Sequence, residues 1–190
     1  DMGVHPGLLP GGRPAGDDAA GQACADVWGR PVPDSSGLGT DAILAGAAEG
    51  GIKGLYLFGC DPAAEHPDGD FARRGLAGAE FVVVHASHRN ASLEYANVVL
   101  PALTTYEEEG TVTNMERRVQ RLRRAVKPPA GPGGREAWRV FGEIARCMNR
   151  PMKAQGVPAI QAEIRILSGE YGQAFGKMPE AGIRLARIKE

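Results

Sequence analysis

The sequence predicts an α/β fold: an open sheet of parallel strands with flanking helices, a loop-rich N-terminal segment and a helical C-terminal segment. Three observations predict it. Three short apolar runs, GLYLFG, EFVVVHA and NVVLP, have the length of buried strands. The stretches between them have helical character, which is typical of parallel crossovers. Finally, 27 glycines and 14 prolines among 190 residues indicate many turns, at about twice the usual frequency.

The first 39 residues carry turn signals every few positions, and they leave room for one short helix around residues 19–28. Regular structure begins after them. Thr40 is a good N-cap and Gly50-Gly51 a stop, so a helix is predicted over Asp41–Glu49.

Strands are predicted over residues 54–59, 80–86 and 97–101, with a helix over residues 70–77 and a helical turn in ASLEYA. Because the run EFVVVHA shows no alternation, Val83 is expected to be fully buried.

The pattern then changes, and GTVTN and RVQRLRRAV predict a hairpin that turns through Met115-Glu116. KPPAGPGG reads as a linker, and helices are predicted over residues 135–149 and 159–167. Trp138, Phe141 and Met148 are the expected core residues of the first of these helices.

The chain is therefore interpreted as a single domain over residues 1–190, and as a fragment of a longer protein. Its loop-rich N-terminal segment covers residues 1–39, its α/β core residues 40–127, and its linker and helices residues 128–190.

Composition excludes several functional classes. The longest run without Asp, Glu, Lys or Arg has 12 residues, from Tyr95 to Tyr106, whereas a membrane span needs about 20. The 3 cysteines are far apart, so no zinc or iron–sulfur site is expected within the chain. The net charge of −1 combines a net −10 over residues 1–110 with a net +9 over residues 111–190.

The most basic stretch places six cations in 11 residues: Arg117, Arg118, Arg121, Arg123, Arg124 and Lys127. No aromatic residues alternate with these cations, as base stacking would require. A solvated hairpin or a subunit interface is therefore favoured over nucleic-acid binding, which remains an alternative.

The block YANVVLPALTTYEEEGTVTNMERRVQ, from Tyr95 to Gln120, resembles a signature of the molybdopterin oxidoreductase superfamily. In that signature an ADVVLP-type strand and an acidic turn precede GT-x-TN-x-E-x-R-x-Q. Asn97 replaces the usual aspartate, and Arg117 stands where glycine is common. GLYLFGCDP, DMGVHPGLLPGG and REAWRVFGEIARCMN also occur in the order expected of this superfamily.

Within the superfamily, the sequence is most similar to the large iron–sulfur subunit of bacterial NADH–quinone oxidoreductase. The resemblance implies a Rossmann-like domain without chemistry of its own, in a parent subunit that carries iron–sulfur clusters. The resemblance also implies that this fragment holds no cofactor and that molybdopterin is not expected. The resemblance implies that the partners are other subunits of the respiratory complex, and that the chain binds no nucleic acid and does not insert into the membrane. It implies a cytoplasmic location, peripheral to the inner face of the membrane. The alternative is a cofactor-binding fragment of a molybdopterin-dinucleotide enzyme such as formate dehydrogenase.

Candidate site residues follow from strand ends, because ligands of open parallel sheets bind beyond the carboxyl ends of the strands. Gly59 would admit a ligand close to the backbone, and Asp61 would accept hydrogen bonds from a guanine or a ribose. With Asn114, these residues would hold a pterin dinucleotide if one is retained. The loop HASHRNAS lacks the acidic residue common in cofactor-binding relatives.

No catalytic residue and no metal ligand are predicted. Cys60, at a strand end, is interpreted as a small buried hydrophobic residue. His85 and His88 are three residues apart in a strand-to-loop segment, where such spacing is usually incidental.

Overall fold

The computed structural model describes residues 5–128, 133–169, 171 and 178–185. Within these ranges the strands are β1 (Leu8–Leu9), β2 (Arg13–Pro14), β3 (Gly54–Phe58), β4 (Phe81–Ala86), β5 (Val98–Pro101), β6 (Gly110–Thr113), β7 (Arg118–Leu122) and β8 (Ile183–Arg184). The helices are α1 (Asp18–Trp28), α2 (Thr40–Ala48), α3 (Pro62–Glu65), α4 (Gly69–Gly78), a 3₁₀ helix (Ala91–Tyr95), α5 (Ala137–Cys147) and α6 (Val157–Leu167).

The chain divides into two compact units. The first unit comprises residues 1–37, 108–125 and 138–190, and the second comprises residues 38–107 and 126–137. Of the residues in the predicted α/β core, 40–107 and 126–127 lie in the second unit and 108–125 lie in the first.

The second unit is built on a parallel sheet with the strand order β3-β4-β5. Tyr56 pairs with Val83, and Val83 pairs with Val98, so the three apolar runs lie side by side as predicted. Asn97, immediately before β5, accepts a hydrogen bond on its Oδ1 from the Val82 N–H at 2.6 Å. An amide oxygen there accepts as a carboxylate would, so the change from aspartate preserves this contact.

Helices α2 and α4 cover one face of this sheet. The buried cluster contains Leu44, Ala47, Leu55, Leu57, Ala63, Ala72, Leu76, Val82 and Val84. Asp68 caps α4, because its Oδ1 accepts a hydrogen bond from the Phe71 N–H at 2.9 Å.

The opposite face of the sheet is partly exposed, and we call it the apolar sheet face: Tyr56, Phe58, Phe81, Val83 and Val98. Phe58 and Phe81 are each 49% exposed. The prediction that Val83 is fully buried was wrong, since this residue is only half-buried. An uninterrupted valine run does not reveal that packed helices cover only one face.

The first unit contains an antiparallel sheet with the order β6-β7-β8. The predicted hairpin is confirmed, with Thr113 opposite Val119. Val119 of β7 and Leu185, which follows β8, are buried in one cluster. Helix α1 is capped by Asp17, whose Oδ1 accepts a hydrogen bond from the Ala20 N–H at 2.9 Å.

Helix α5 was predicted to place its apolar residues in the core, and it does not do so. Met148, just beyond its end, is 69% exposed, while Trp138 and Phe141 are half-buried. Helical spacing therefore identified the helix correctly but overestimated the burial of its apolar stripe. In the described ranges, we find no helix with both the length and the hydropathy needed to span a membrane. Part of the predicted linker KPPAGPGG, residues 129–132, lies outside the described residues.

Candidate functional site

Two of the three predicted site residues, Gly59 and Asp61, lie at the carboxyl edge, which is the end of the second-unit sheet where β3, β4 and β5 stop. Strand β3 ends at Phe58, and Gly59 follows with a φ of 63°, a conformation that favours glycine. Its N–H donates to the His85 carbonyl at 3.0 Å. A Cβ on Gly59 would meet no atom within 4 Å, so the backbone here faces open space.

Asp61 uses its carboxylate within the chain. Its Oδ1 accepts hydrogen bonds from the Ser92 N–H at 2.9 Å and the Ser92 hydroxyl at 2.6 Å. Its Oδ2 accepts a hydrogen bond from the Ala91 N–H at 3.0 Å. Asp61 thus ties the loop after β3 to the first turn of the 3₁₀ helix.

The pKa of Asp61 agrees with these hydrogen bonds. Burial raises the pKa of its carboxyl, but the hydrogen bonds from Ser92 and Ala91 lower it, and the pKa ends below the ordinary value. The carboxylate is therefore charged at neutral pH and already holds three donors.

Ser92 is a residue that the sequence analysis missed. Its fully buried hydroxyl donates to Asp61 and accepts a hydrogen bond from the Ala63 N–H at 3.2 Å. A serine two residues after Asn90, in the first turn of a predicted helical segment, was a local signal, but its partner lies 31 positions earlier.

The two histidines at the carboxyl end of β4 occupy different environments. His85 is fully buried, and its Nδ1 lies 2.9 Å from the Tyr56 hydroxyl. Burial lowers the pKa of His85, which favours the neutral ring. His88 is exposed, with Nδ1 3.0 Å from the Ser87 hydroxyl. Among the described residues, no group of three or more His, Cys, Asp or Glu is placed to hold a metal ion.

Cys60 is only partly buried. Burial, and then the charge of Glu65, raise the pKa of its thiol. A thiol that stays protonated at neutral pH is a poor nucleophile, so the net effect of this environment does not activate Cys60.

Asn114 lies in the first unit, whereas Gly59 and Asp61 lie in the second. Its Oδ1 accepts hydrogen bonds from the Glu116 N–H at 3.0 Å and the Arg118 N–H at 2.9 Å. These contacts close the turn between β6 and β7. Arg117 in this turn has a φ of 62°, which explains why a glycine suits that position of the signature.

The basic stretch runs along β7 and beyond it. The Arg118 side chain lies 3.5 Å from the Glu116 carboxylate, and it donates to the Ala181 carbonyl at 3.4 Å. Arg121, Arg123 and Arg124 are exposed. These arginines are accessible to solvent or to a partner, so the solvated hairpin and the subunit interface both stay predictions.

The parallel sheet with its glycine turn and the separate antiparallel hairpin that carries GTVTN define a mixed α/β protein. Residues 17–147 match the sequence profile named Molybdopterin oxidoreductase. The chain belongs to the molybdopterin oxidoreductase family.

Similar proteins fall into more than one functional class. The chain is 36% identical over 171 residues to an NADH-quinone oxidoreductase subunit of Rhizobium meliloti, covering 90% of this chain and 20% of that protein. It is 30% identical over 184 residues to formate dehydrogenase H of Escherichia coli, covering 96% and 26% respectively. The chain thus spans about a fifth to a quarter of the length of these curated relatives.

The acetylene hydratase from Pelobacter acetylenicus resembles the chain in structure, with a TM-score of 0.59 and 16% identity. The match covers 78% of this chain and 22% of the hydratase. At this identity the likeness establishes a shared fold and says nothing of activity.

Proposed function

We propose that the chain is a structural domain of the large iron–sulfur subunit of a proton-pumping NADH–quinone oxidoreductase. In this role it supports electron transfer from NADH to quinone without chemistry of its own. The similarity to the Rhizobium meliloti protein, at 36% identity over 90% of the chain, supports the proposal.

The observation that carries the proposal is the engagement of Asp61 by Ala91 and Ser92. A guanine is recognised through its N1 and N2 donors, which need a carboxylate facing them. Asp61 has three of its acceptor positions filled by the chain, and the loop over residues 85–90 contains no acidic residue. The residues at the carboxyl edge therefore fit a pterin guanine dinucleotide poorly.

In this role the chain is part of a larger assembly. The partners are other subunits of the respiratory complex, and the parent subunit carries iron–sulfur clusters outside this chain. The complex places the domain in the cytoplasm, peripheral to the inner face of the membrane. The chain itself contacts no nucleic acid and does not insert into the membrane.

The second candidate is a cofactor-binding fragment of a molybdopterin-dinucleotide enzyme. Gly59 favours it, because its open turn would admit a ligand close to the backbone. The similarity to formate dehydrogenase H also favours it. In this candidate Gly59, Asp61 and Asn114 would contact the dinucleotide.

Titration calorimetry of the 190-residue chain with GDP separates the two candidates. The structural-domain proposal predicts no saturable heat at millimolar GDP for the unmodified chain. Binding in the micromolar range that Asp61→Ala abolishes would contradict it and favour the cofactor-binding candidate. Asp70→Ala is the matched control, because Asp70 is an exposed carboxylate of the same unit, paired with Arg73 on α4. Circular dichroism melting verifies that each variant is folded.

A further inference from the structure

The first unit contains a cavity of about 420 Å³ where the end of α1, the segment after α5 and helix α6 meet. All of its lining residues belong to this unit. Its volume falls in the range of small-molecule sites, about 300–1,000 Å³. The cavity lies outside the carboxyl edge and plays no part in the function proposed above.

Its apolar wall includes Trp28, Met148 and Met152. The Trp28 Nε1 donates to the Glu163 Oε1 at 2.8 Å, which fixes the orientation of the indole. Thioethers make favourable contacts with aromatic rings, and an indole stacks on flat ligands. This combination favours a planar, aromatic body.

Its polar rim is cationic and includes Arg30, Arg150 and Lys153. Lys153 Nζ donates to the Val27 carbonyl at 3.4 Å. The guanidinium groups of Arg30 and Arg150 have no ion-pair partner in the described part of the chain. The one acidic lining residue is Glu163, whose Oε1 is held by the Trp28 indole. The rim therefore favours a negatively charged group on the ligand.

We propose that this cavity binds an aromatic anion: a planar apolar ring system that carries a sulfonate, carboxylate or phosphate group. Trp28 and the two methionines contact the ring system, and Arg30 and Arg150 contact the anionic group. The site is independent of whether the carboxyl edge holds a nucleotide.

The probe is 8-anilinonaphthalene-1-sulfonate, an aromatic anion, and its neutral counterpart is N-phenyl-1-naphthylamine, which lacks the sulfonate. Fluorescence titration of the 190-residue chain should show one saturable site for the anionic dye. The double variant Arg30→Gln with Arg150→Gln should weaken that binding about tenfold or more, since two charge-assisted contacts are removed. Binding of the neutral dye should not change.

Arg146→Gln is the matched control, because Arg146 is an exposed arginine of α5 that pairs with Glu143 and does not line the cavity. It should leave both dyes unaffected. A second measurement needs no variant. Raising the salt concentration about tenfold should weaken the binding of the anionic dye and leave the binding of the neutral dye unchanged.

The apolar sheet face is the competing dye site, and Phe58→Gln together with Phe81→Gln tests it. If the dye occupies the cavity, these changes leave unchanged the binding of the anionic dye that depends on Arg30 and Arg150. The proposal is overturned if no dye binds, or if both dyes bind equally well with no dependence on the arginines. Loss of the saturable component in the Phe58 and Phe81 variant would also overturn it.

Discussion

Arg117 illustrates how a single residue can be ill matched to the turn it occupies. Its φ of 62° lies in the left-handed region, where a side chain costs about 1–2 kcal/mol. Its N–H donates to the Asn114 carbonyl at 2.9 Å, so the turn requires this conformation.

Arg117→Gly should therefore stabilise the chain by about 1 kcal/mol, because glycine adopts this φ without strain. For a chain of this size that corresponds to about 2–4 °C in the midpoint of thermal unfolding. Arg121→Gly on β7 is the control, and it should lower the midpoint, since a strand position gains nothing from glycine. An Arg117→Gly variant that melts lower than the unmodified chain would contradict the account of the turn.

Asp61 gives a pH dependence of known sign. Its pKa is lower in the folded chain than the unfolded value of about 3.9, so it stabilises the fold above that value. The stabilisation is lost as the pH falls below about 4 and through the lower folded pKa. Asp61→Asn should make the free energy of unfolding less dependent on pH over this range.

Chemical denaturation between about pH 6 and pH 3 measures this effect of Asp61. The variant should also be less stable at pH 6, by about 1–3 kcal/mol, because the Ala91 N–H loses its acceptor if the amide nitrogen replaces Oδ2. Asp70→Asn serves as the exposed control. If the free energy of unfolding depends on pH in the same way for Asp61→Asn and for the unmodified chain, the hydrogen bonds accepted by Asp61 do not stabilise the fold in solution.

At the scale of elements, α2 and α4 approach each other through glycine. A Cβ on Gly75 would lie 2.7 Å from the Leu44 carbonyl oxygen, and one on Gly78 would lie 2.5 Å from that of Ala47. Both neighbours are backbone atoms of α2, which a side-chain rotation cannot move. The two helices therefore pack backbone to backbone over the sheet.

Gly75→Ala should destabilise the chain by about 1–3 kcal/mol because the helices must separate. The matched control is Gly142→Ala in α5, where a Cβ meets no atom within 4 Å. There the gain in helix propensity should stabilise the chain by about 0.5–1 kcal/mol. Urea denaturation measures both changes, and equal effects of the two substitutions would refute the close contact.

Strand β4 shows which part of a strand a sequence can predict. Its apolar run predicts the strand and its parallel neighbours, and the structure confirms both. It does not predict which face is covered, because helix packing is decided by residues far away in the sequence. Val84 is completely buried, whereas Val83 faces the other side and is half-buried.

Val84→Asp should therefore prevent folding, since a buried unpaired carboxylate costs several kcal/mol out of a total stability of about 5–15 kcal/mol. Val83→Asp should cost clearly less, because that carboxylate keeps partial contact with water. Circular dichroism and the soluble yield compare the two variants. Equal losses would mean that both faces of the sheet are covered in solution.

At the scale of the whole molecule, the family signature and the parallel sheet could be predicted from local patterns. The helix α3 could not, because it is only four residues long, and neither could β8, which pairs at a distance of more than 60 residues. The engagement of Asp61 by Ser92 likewise depends on the loops that the fold brings together. Sequence patterns therefore located the carboxyl edge, but only the structure shows that its carboxylate is already in use.

We propose that this family member is a structural domain of a respiratory subunit and that it holds no pterin. Iron and pterin analysis of the full-length subunit, purified from its source, tests that claim most directly. We expect iron in the subunit and no fluorescent pterin after oxidative extraction. A pterin present at one or two equivalents per subunit, together with molybdenum or tungsten, would contradict it.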